Sequence, residues 1–334
     1  MATLYLTEQG LYLTKNQHRL VLSKNGKKVI EIPVFQVERI LIFGNIQVST
    51  QALDLILDSG IECSFLSSKG KFRGILRPAE QGNVFLRIAQ YERYLDSQFR
   101  YEFSREIVKA KIANQINHIK RYAKNHPETS FKNEIDELSR ELNTIPEEKL
   151  ISNLLGIEGF SSSVYFKAFG KMVSNSGFDF SMRTRRPPRD PINALLSLGY
   201  TLVTNELYSL LSASGFDPHI GYYHELLYGR PSLALDVTEE FRVPLVDHLV
   251  MNLINLRSLS KEDFQQNEED GGVYLKNESK KIFFAEYERA ITEKFNSKSV
   301  GSSADFRSIF KNQVALLNKS VQLGEMYKPF TWEQ

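Results

Sequence analysis

Phe72-Arg73-Gly74-Ile75-Leu76, then Glu80-Gln81-Gly82-Asn83, then a run from Val84 to Ala123 with no glycine or proline: here the sequence changes period. Before Asn83 the apolar residues alternate in short runs, as strands require. After it they recur about every 3.6 residues, as on a helix face. A block of strands followed by a block of helices predicts an α+β chain: a small N-terminal β domain followed by a larger all-helical domain. The change of period places the β domain at 1–80, a linker at 81–84, the helices over 85–325 and a weakly structured tail at 326–334.

Toward the N-terminus, Thr3-Leu4-Tyr5-Leu6-Thr7, Leu11-Tyr12-Leu13-Thr14, Leu20-Val21-Leu22-Ser23, Val29-Ile30-Glu31-Ile32 and Arg39-Ile40-Leu41-Ile42-Phe43 read as strands. Asn25-Gly26 between two of them is a strong hairpin signal, because both turn residues must take positive φ. Ser49 to Leu57 has helical spacing behind a Ser49 or Thr50 cap, and Glu62–Leu66 returns to strand character. Toward the C-terminus, Val84 to Ala123 predicts one long helix or two end to end. Further helices are expected over Phe131–Leu142, Glu147–Met172, Pro191–Leu211, Leu233–Leu256, Ile282–Phe295 and Phe306–Leu323, with a short strand near Val273-Tyr274-Leu275.

At 334 residues the chain is long enough for about two domains. Forty-two Lys and Arg against forty Asp and Glu exclude a polycation that coats nucleic acid by charge alone, though local clusters remain available. The one cysteine, Cys63, cannot form an internal disulfide or a cysteine-based zinc site, which fits a reducing cytoplasm. No signal-peptide pattern opens the sequence, and no uncharged apolar stretch of about 18 residues occurs, so a soluble chain without a membrane partner is expected.

Three clusters carry chemistry. Ile151, Leu154, Leu155, Ser162, Tyr165 and Phe169 form a stripe at spacings of three and four, and Glu158 falls within it. A carboxylate in such surroundings costs several kcal/mol unless a cation, metal or hydrogen-bond donor offsets it. A structural salt bridge to an arginine or lysine accounts for it equally well. Gly156 and Gly159 keep the surface beside it low. In the second cluster, Val237, Phe241, Leu245, Leu249 and Leu253 give the helix from 233 its core face, leaving Asp236 and Glu239 together away from it. A lone histidine more often serves structure than metal, but His224 shortly precedes a Gly229-Arg230-Pro231 turn that returns it toward those carboxylates. Two carboxylates and one imidazole suit Mn²⁺ or Mg²⁺ and offer too few soft ligands for structural zinc. The third cluster, Arg183-Thr184-Arg185-Arg186-Pro187-Pro188-Arg189, sets four arginines in an extended segment that suits a row of phosphates. The stretch from Arg100 to Lys132, eight basic residues against three acidic with aromatics interleaved, reads either as a nucleic-acid groove or as a solvated helix face. No G-x-S-x-G, P-loop, G-x-G-x-x-G or HExxH pattern is present.

Several of these motifs in order carry a resemblance. Leu155-Gly156-Ile157-Glu158-Gly159, Asp190-Pro191-Ile192-Asn193-Ala194-Leu195-Leu196-Ser197, Gly215-Phe216-Asp217-Pro218-His219-Ile220-Gly221 with His224, and Gly229-Arg230-Pro231-Ser232-Leu233-Ala234-Leu235-Asp236 leading to Glu239-Glu240-Phe241-Arg242 follow a β-rich start. Over essentially its whole length the sequence resembles the CRISPR-associated endonuclease/integrase that inserts new spacers into the repeat array. The resemblance puts the family's metal-binding glutamate on Glu158, its histidine on His224 and its last acidic ligand on Glu239. Asp236 is the adjacent acidic member, and which of the two touches the metal stays open. It further implies a homodimer built partly through the β domains, partnership with a small ferredoxin-like CRISPR adaptation protein, and double-stranded DNA substrates with 3′ ends, the prespacer and the repeat array.

A Mn²⁺ or Mg²⁺ ion on Glu158, His224 and Glu239 would offset charge on a phosphodiester under attack. A 3′-hydroxyl nucleophile then gives strand transfer and water gives cleavage. Arg230 lies near enough in sequence to His224 to meet the phosphate, and Arg183, Arg185, Arg186 and Arg189 would position a duplex without reading bases. The alternatives are a non-catalytic DNA-binding scaffold of the same assembly and, less well served by the arginine row, a metal hydrolase for a small phosphorylated substrate.

Overall fold

The computed structural model describes residues 2–78, 83–145, 150–297 and 302–332. Packing divides the chain into two compact units: Met1–Gln81 with Tyr274–Phe284, and Gly82–Val273 with Ala285–Gln334. Positions 81 and 82 of the expected linker lie outside the described residues, as do 147–149 of the expected helix from Glu147 and 333–334 of the tail.

The first unit holds β1 (Ala2–Leu6), β2 (Leu11–Asn16), β3 (Arg19–Lys24), β4 (Lys27–Pro33), β5 (Val37–Phe43), β6 (Gln47–Val48), α1 (Thr50–Asp58), β7 (Glu62–Leu66) and β8 (Phe72–Leu76). They form two four-stranded sheets, ordered β1-β5-β7-β8 and β4-β3-β2-β6. The β3–β4 turn has φ of 50° at Asn25 and 75° at Gly26, the conformation that an Asn-Gly hairpin needs. Parallel β5 and β7 are joined through α1, which Ser49 caps by accepting a bond from the Ala52 N–H at 3.2 Å. Period-2 alternation sends Leu11, Leu13, Leu20, Leu22, Ile40 and Ile42 into one core with Ala52, Leu55 and Ile56 of α1. Cys63 is buried there as a free thiol whose pKa burial pushes up to about 12, so it stays protonated and unreactive.

The second unit is mainly helical: α2 (Val84–Leu95), α3 (Ser97–Asn125), α4 (Lys132–Thr144), α5 (Ile151–Met172), α6 (Pro191–Ala213), α7 (Ser232–Thr238) and α8 (His248–Asn255). Along the chain there follow β9 (Phe264–Gln266), β10 (Val273–Leu275) and α9 (Lys280–Thr292), of which residues 274–284 belong to the first unit, and then β11 (Phe295–Ser297), β12 (Ser302–Ala304) and α10 (Phe306–Leu323). The span from Val84 is two helices because the Asp96 carboxylate accepts from the N–H groups of Gln98 and Phe99, at 2.9 and 3.1 Å, and so starts a new helix. The short strand expected near Val273-Tyr274-Leu275 is present as β10, and the β11–β12 pair corrects the expectation of an all-helical second domain. Tyr274–Phe284, counted with the helices on sequence, packs with the first unit, where Tyr5 stacks on Phe284 at 4.3 Å between ring centroids.

Two further corrections concern the second unit. The expected helix Leu233–Leu256 is broken: α7 ends at Thr238, a wider π turn spans Arg242–Asp247, and α8 begins at His248. Pro244 lies inside the break and has no N–H to donate. The described part of the tail expected to be weakly structured, 326–332, forms neither helix nor strand, yet Tyr327 and Phe330 are buried. Among the described residues no helix is long and apolar enough to cross a membrane.

Candidate active site

The site is built on α3, α5 and the segment from Gly221 through α7 to the π turn, all within the second unit. On α5, Leu154, Tyr165 and Phe169 are buried as the stripe predicts, whereas Leu155 is exposed. Glu158 lies at the stripe's edge, where Ser162 one turn later donates to its Oε1 at 2.8 Å. The space in front of Gly156 and Gly159 is open, which keeps the surface beside Glu158 low.

His224 is oriented by a closed loop. Asp236, fully buried on α7, accepts the backbone N–H groups of Tyr222, Tyr223 and His224 at 2.7, 3.1 and 2.9 Å, and its Oδ1 lies 2.7 Å from His224 Nδ1. With Nδ1 held, Nε2 faces the other way, 3.8 Å from Glu239 Oε1. A side chain on Gly221 would stand 2.6 Å from the Ser232 carbonyl carbon and 2.7 Å from Asp236 Oδ2, so only glycine lets the loop approach α7 this closely. Asp236 therefore spends its oxygens on orienting His224, and Glu239 is the carboxylate that faces Glu158.

Between the two glutamates stands Lys111, from the middle of α3. Its Nζ donates to Glu158 Oε1 and lies 2.7 Å from Glu239 Oε2. On the other oxygen, Arg242 Nη2 approaches Glu239 Oε1 at 3.1 Å. Burial alone would raise the Glu239 pKa, but the charges of Arg242, Lys111 and His224 hold it well below the usual carboxylate range. Burial is likewise outweighed at Glu158, lowered chiefly by Lys111, and at Lys111, raised by Glu239 and Glu158. Both carboxylates are thus ionised beside the His224 imidazole. Among the described residues no three His, Cys, Asp or Glu side chains meet closely enough to ligate one ion, because the ammonium separates the carboxylates. The donor set nevertheless fits a divalent cation: two ionised carboxylates, one oriented imidazole, and a positive charge already drawn to the space between them.

The sequence matches, over residues 4–289, the model of the family described as CRISPR associated protein Cas1. The chain belongs to the Cas1 family. It is 36% identical over 296 residues to CRISPR-associated endonuclease Cas1 1 of Thermodesulfovibrio yellowstonii, covering 88% of this chain and 92% of that one. It is 34% identical over 334 residues to CRISPR-associated endonuclease Cas1 3 of Thermus thermophilus, covering 99% and 97%. A solved Cas1 protein from Thermotoga maritima, 30% identical, matches with a TM-score of 0.82 over the full length (100%) of both chains. The fold recurs at 24% identity and a TM-score of 0.87 in a casposase bound to integration product, covering 100% and 95% of the two chains. It recurs again at 22% identity and a TM-score of 0.83 in a Cas6-RT-Cas1–Cas2 complex, covering 100% of this chain and 36% of that one.

Within this Cas1 fold the arginines divide. Arg185, Arg186 and Arg189 are exposed, and Arg189 Nη1 donates to the Gly271 carbonyl at 3.3 Å. Arg183 turns inward instead. It donates to the Thr184 carbonyl, to Asn193 Oδ1 at 2.7 Å and to Ser197 Oγ at 3.0 Å, and lies 5.3 Å from the Tyr200 ring centre. It is a structural anchor, since both its terminal nitrogens are already committed. Arg242 lies over the same Tyr200 ring at 4.7 Å, so the root of the arginine row adjoins the cationic side of the site. Arg230 is partly exposed at the end of the loop that follows His224. The basic stretch from Arg100 divides as well: Lys111 is buried, Arg100 bonds the Tyr222 carbonyl, Arg105 and Lys109 pair with Glu106, and Lys120, Arg121, Lys124 and Lys132 are exposed, Arg121 lying over the Trp332 ring. Sequence reading missed Lys111 and Arg242 as members of the site. Their signal was a cation among apolar helical neighbours: Lys111 lies between Val108, Ile112 and Ile107 of the buried face.

Proposed function

We propose that this chain is a metal-dependent DNA integrase and endonuclease that inserts short DNA spacers into a CRISPR repeat array by attack of a 3′-hydroxyl on a phosphodiester, and that cleaves when water is the nucleophile. The observation that carries this reading is that Glu158 and Glu239, drawn from separate elements, share the Lys111 ammonium, with His224 Nε2 3.8 Å from the other oxygen of Glu239. When bound, a Mn²⁺ or Mg²⁺ ion would offset charge on the phosphate and favour the deprotonated nucleophile. The protein's own part is positional. Glu158 and Glu239 present ionised oxygens, Asp236 points His224 Nε2 into the site, and Arg242, braced on Tyr200, keeps Glu239 in place. Arg230, partly exposed beyond His224, would meet the phosphate, while the exposed Arg185, Arg186 and Arg189 would hold the duplex through its backbone.

The names of the relatives and the casposase and Cas1–Cas2 structures that share the fold support DNA as substrate and a small CRISPR adaptation protein as partner. A homodimer through the β-rich unit is supported by exposed Val29, Ile30 and Phe35 on and after β4. Glu158→Ala and His224→Ala are each expected to abolish Mn²⁺-dependent strand transfer while circular dichroism stays native. Undiminished product from both variants overturns the assigned centre. Salt-sensitive DNA binding with no product that a chelator suppresses identifies a non-catalytic scaffold instead.

A further inference from the structure

Lys111 marks where positive charge gathers in the centre, and its placement gives it a further role. We propose that it is the built-in counter-ion of the centre: its ammonium occupies the divalent-cation position while no ion is bound, and it must be displaced for an ion to enter. This rests on the reading of Glu158, His224 and Glu239 as metal ligands.

Three observations carry the inference. First, Lys111 is buried in the middle of a 29-residue helix, and its Nζ contacts both Glu158 Oε1 and Glu239 Oε2. Those are oxygens an ion would need, so ammonium and ion compete for the same atoms. Second, the two carboxylates already have cationic neighbours without an ion: Lys111 touches both, and Arg242 touches Glu239. Third, the two cations are held differently. The Arg242 guanidinium lies over the Tyr200 ring as well as against Glu239. The Lys111 ammonium sits on a flexible four-carbon stem, with the two glutamates for partners among the described residues. Lys111 is the cation more readily displaced. Its removal would take away the cation that touches both carboxylates, leaving a more negative pocket that attracts a divalent ion more strongly than the one Lys111 fills.

The test uses full-length protein without DNA, and reads Mn²⁺ binding from the electron paramagnetic resonance of the free ion. Lys111→Met is expected to bind Mn²⁺ at least tenfold more tightly than the unmodified chain, while Lys111→Arg, which keeps a cation in place, gains nothing. Equal or weaker binding by Lys111→Met overturns the proposal, because a lysine that merely supports the fold would not restrain the metal. A second measurement needs no variant. Reductive methylation of the unmodified protein, read by mass spectrometry, is expected to label Lys111 several-fold faster once Mn²⁺ is added. A labelling rate indifferent to Mn²⁺ also overturns it. Glu158→Gln separates the two levels. Mn²⁺ binding that survives this change removes the metal-ligand reading itself, and binding lost there but not tightened in Lys111→Met removes only the role of Lys111.

Discussion

A side chain's chemical type says less than its partners do, and the arginine row shows it. Four arginines within seven residues look equivalent on paper, yet Arg183 spends its guanidinium on Asn193, Ser197 and the Thr184 carbonyl while Arg185 and Arg186 reach solvent. The two kinds should fail differently. Replacing Arg185 and Arg186 together with alanine is expected to weaken duplex binding about equally across sequences. The slope of log affinity against log salt should fall by about 0.9 for each phosphate no longer neutralised, as fluorescence anisotropy would record. Arg183→Ala should instead cost roughly 1–3 kcal/mol of stability in a urea titration, because Asn193 and Ser197 lose a buried charged donor. The same logic separates Asp236 from Glu239. Three residues apart on one helical run, they read as a matched pair, but backbone N–H groups claim Asp236 and cations claim Glu239.

At the scale of elements, the site depends on a helix that does not continue. A regular helix over Leu233–Leu256 would satisfy the apolar spacing, and Val237, Phe241, Leu245, Leu249 and Leu253 are indeed all buried. The interruption after Thr238 and the π turn through Pro244 add a local change of rotation that periodicity does not register. The partner element is the segment ending at His224, which lies against α7 because Gly221 has no side chain. Gly221→Ala is expected to push this segment away from Asp236, costing about 1–3 kcal/mol as an overpacked contact. Chemical denaturation measures that loss, and His224 NMR shifts would show whether the ring keeps its hydrogen bond. By contrast the strands and most helices were readable, since alternation and 3.6-residue spacing are local and the caps at Ser49, Asn83 and Asp190 are local too.

At the scale of the whole molecule, each unit closes over a group that sequence reading placed elsewhere or left loose. In the first unit, burial presses the Lys280 pKa down to about 8, while its Nζ donates to the Ser68 carbonyl at 2.5 Å and to Asn277 Oδ1 at 2.7 Å. The unfolded chain then holds more protons between about pH 8 and the ordinary lysine value, so this group makes stability rise with pH across that window. Lys280→Met is expected to flatten that rise, measured as denaturation midpoints from about pH 8 to about 10.5. In the second unit, the tail is tied to Glu240: the Tyr327 hydroxyl donates to Oε1 at 2.6 Å, and the Phe330 N–H and Gln313 donate to Oε2 at 2.7 and 2.9 Å. Burial nonetheless lifts that carboxyl to about 7. Phe330→Ala should cost about 3–5 kcal/mol, the range for truncating a fully buried phenylalanine, and a loss near zero would mean that the tail only lies on the surface.

From the residues in order came the α+β class, the change of period at Asn83, the Asn25-Gly26 hairpin and the identity of Glu158, His224 and Glu239 as candidates, because each is written in local spacing or in an ordered set of motifs. Folding alone decided what stands between those candidates. Lys111, 47 positions before Glu158, meets Glu158 and Glu239 only when α3 packs against α5 and the π turn that follows α7. No periodicity reports a contact made across such a distance, for it depends on how whole elements pack to bury their apolar faces together.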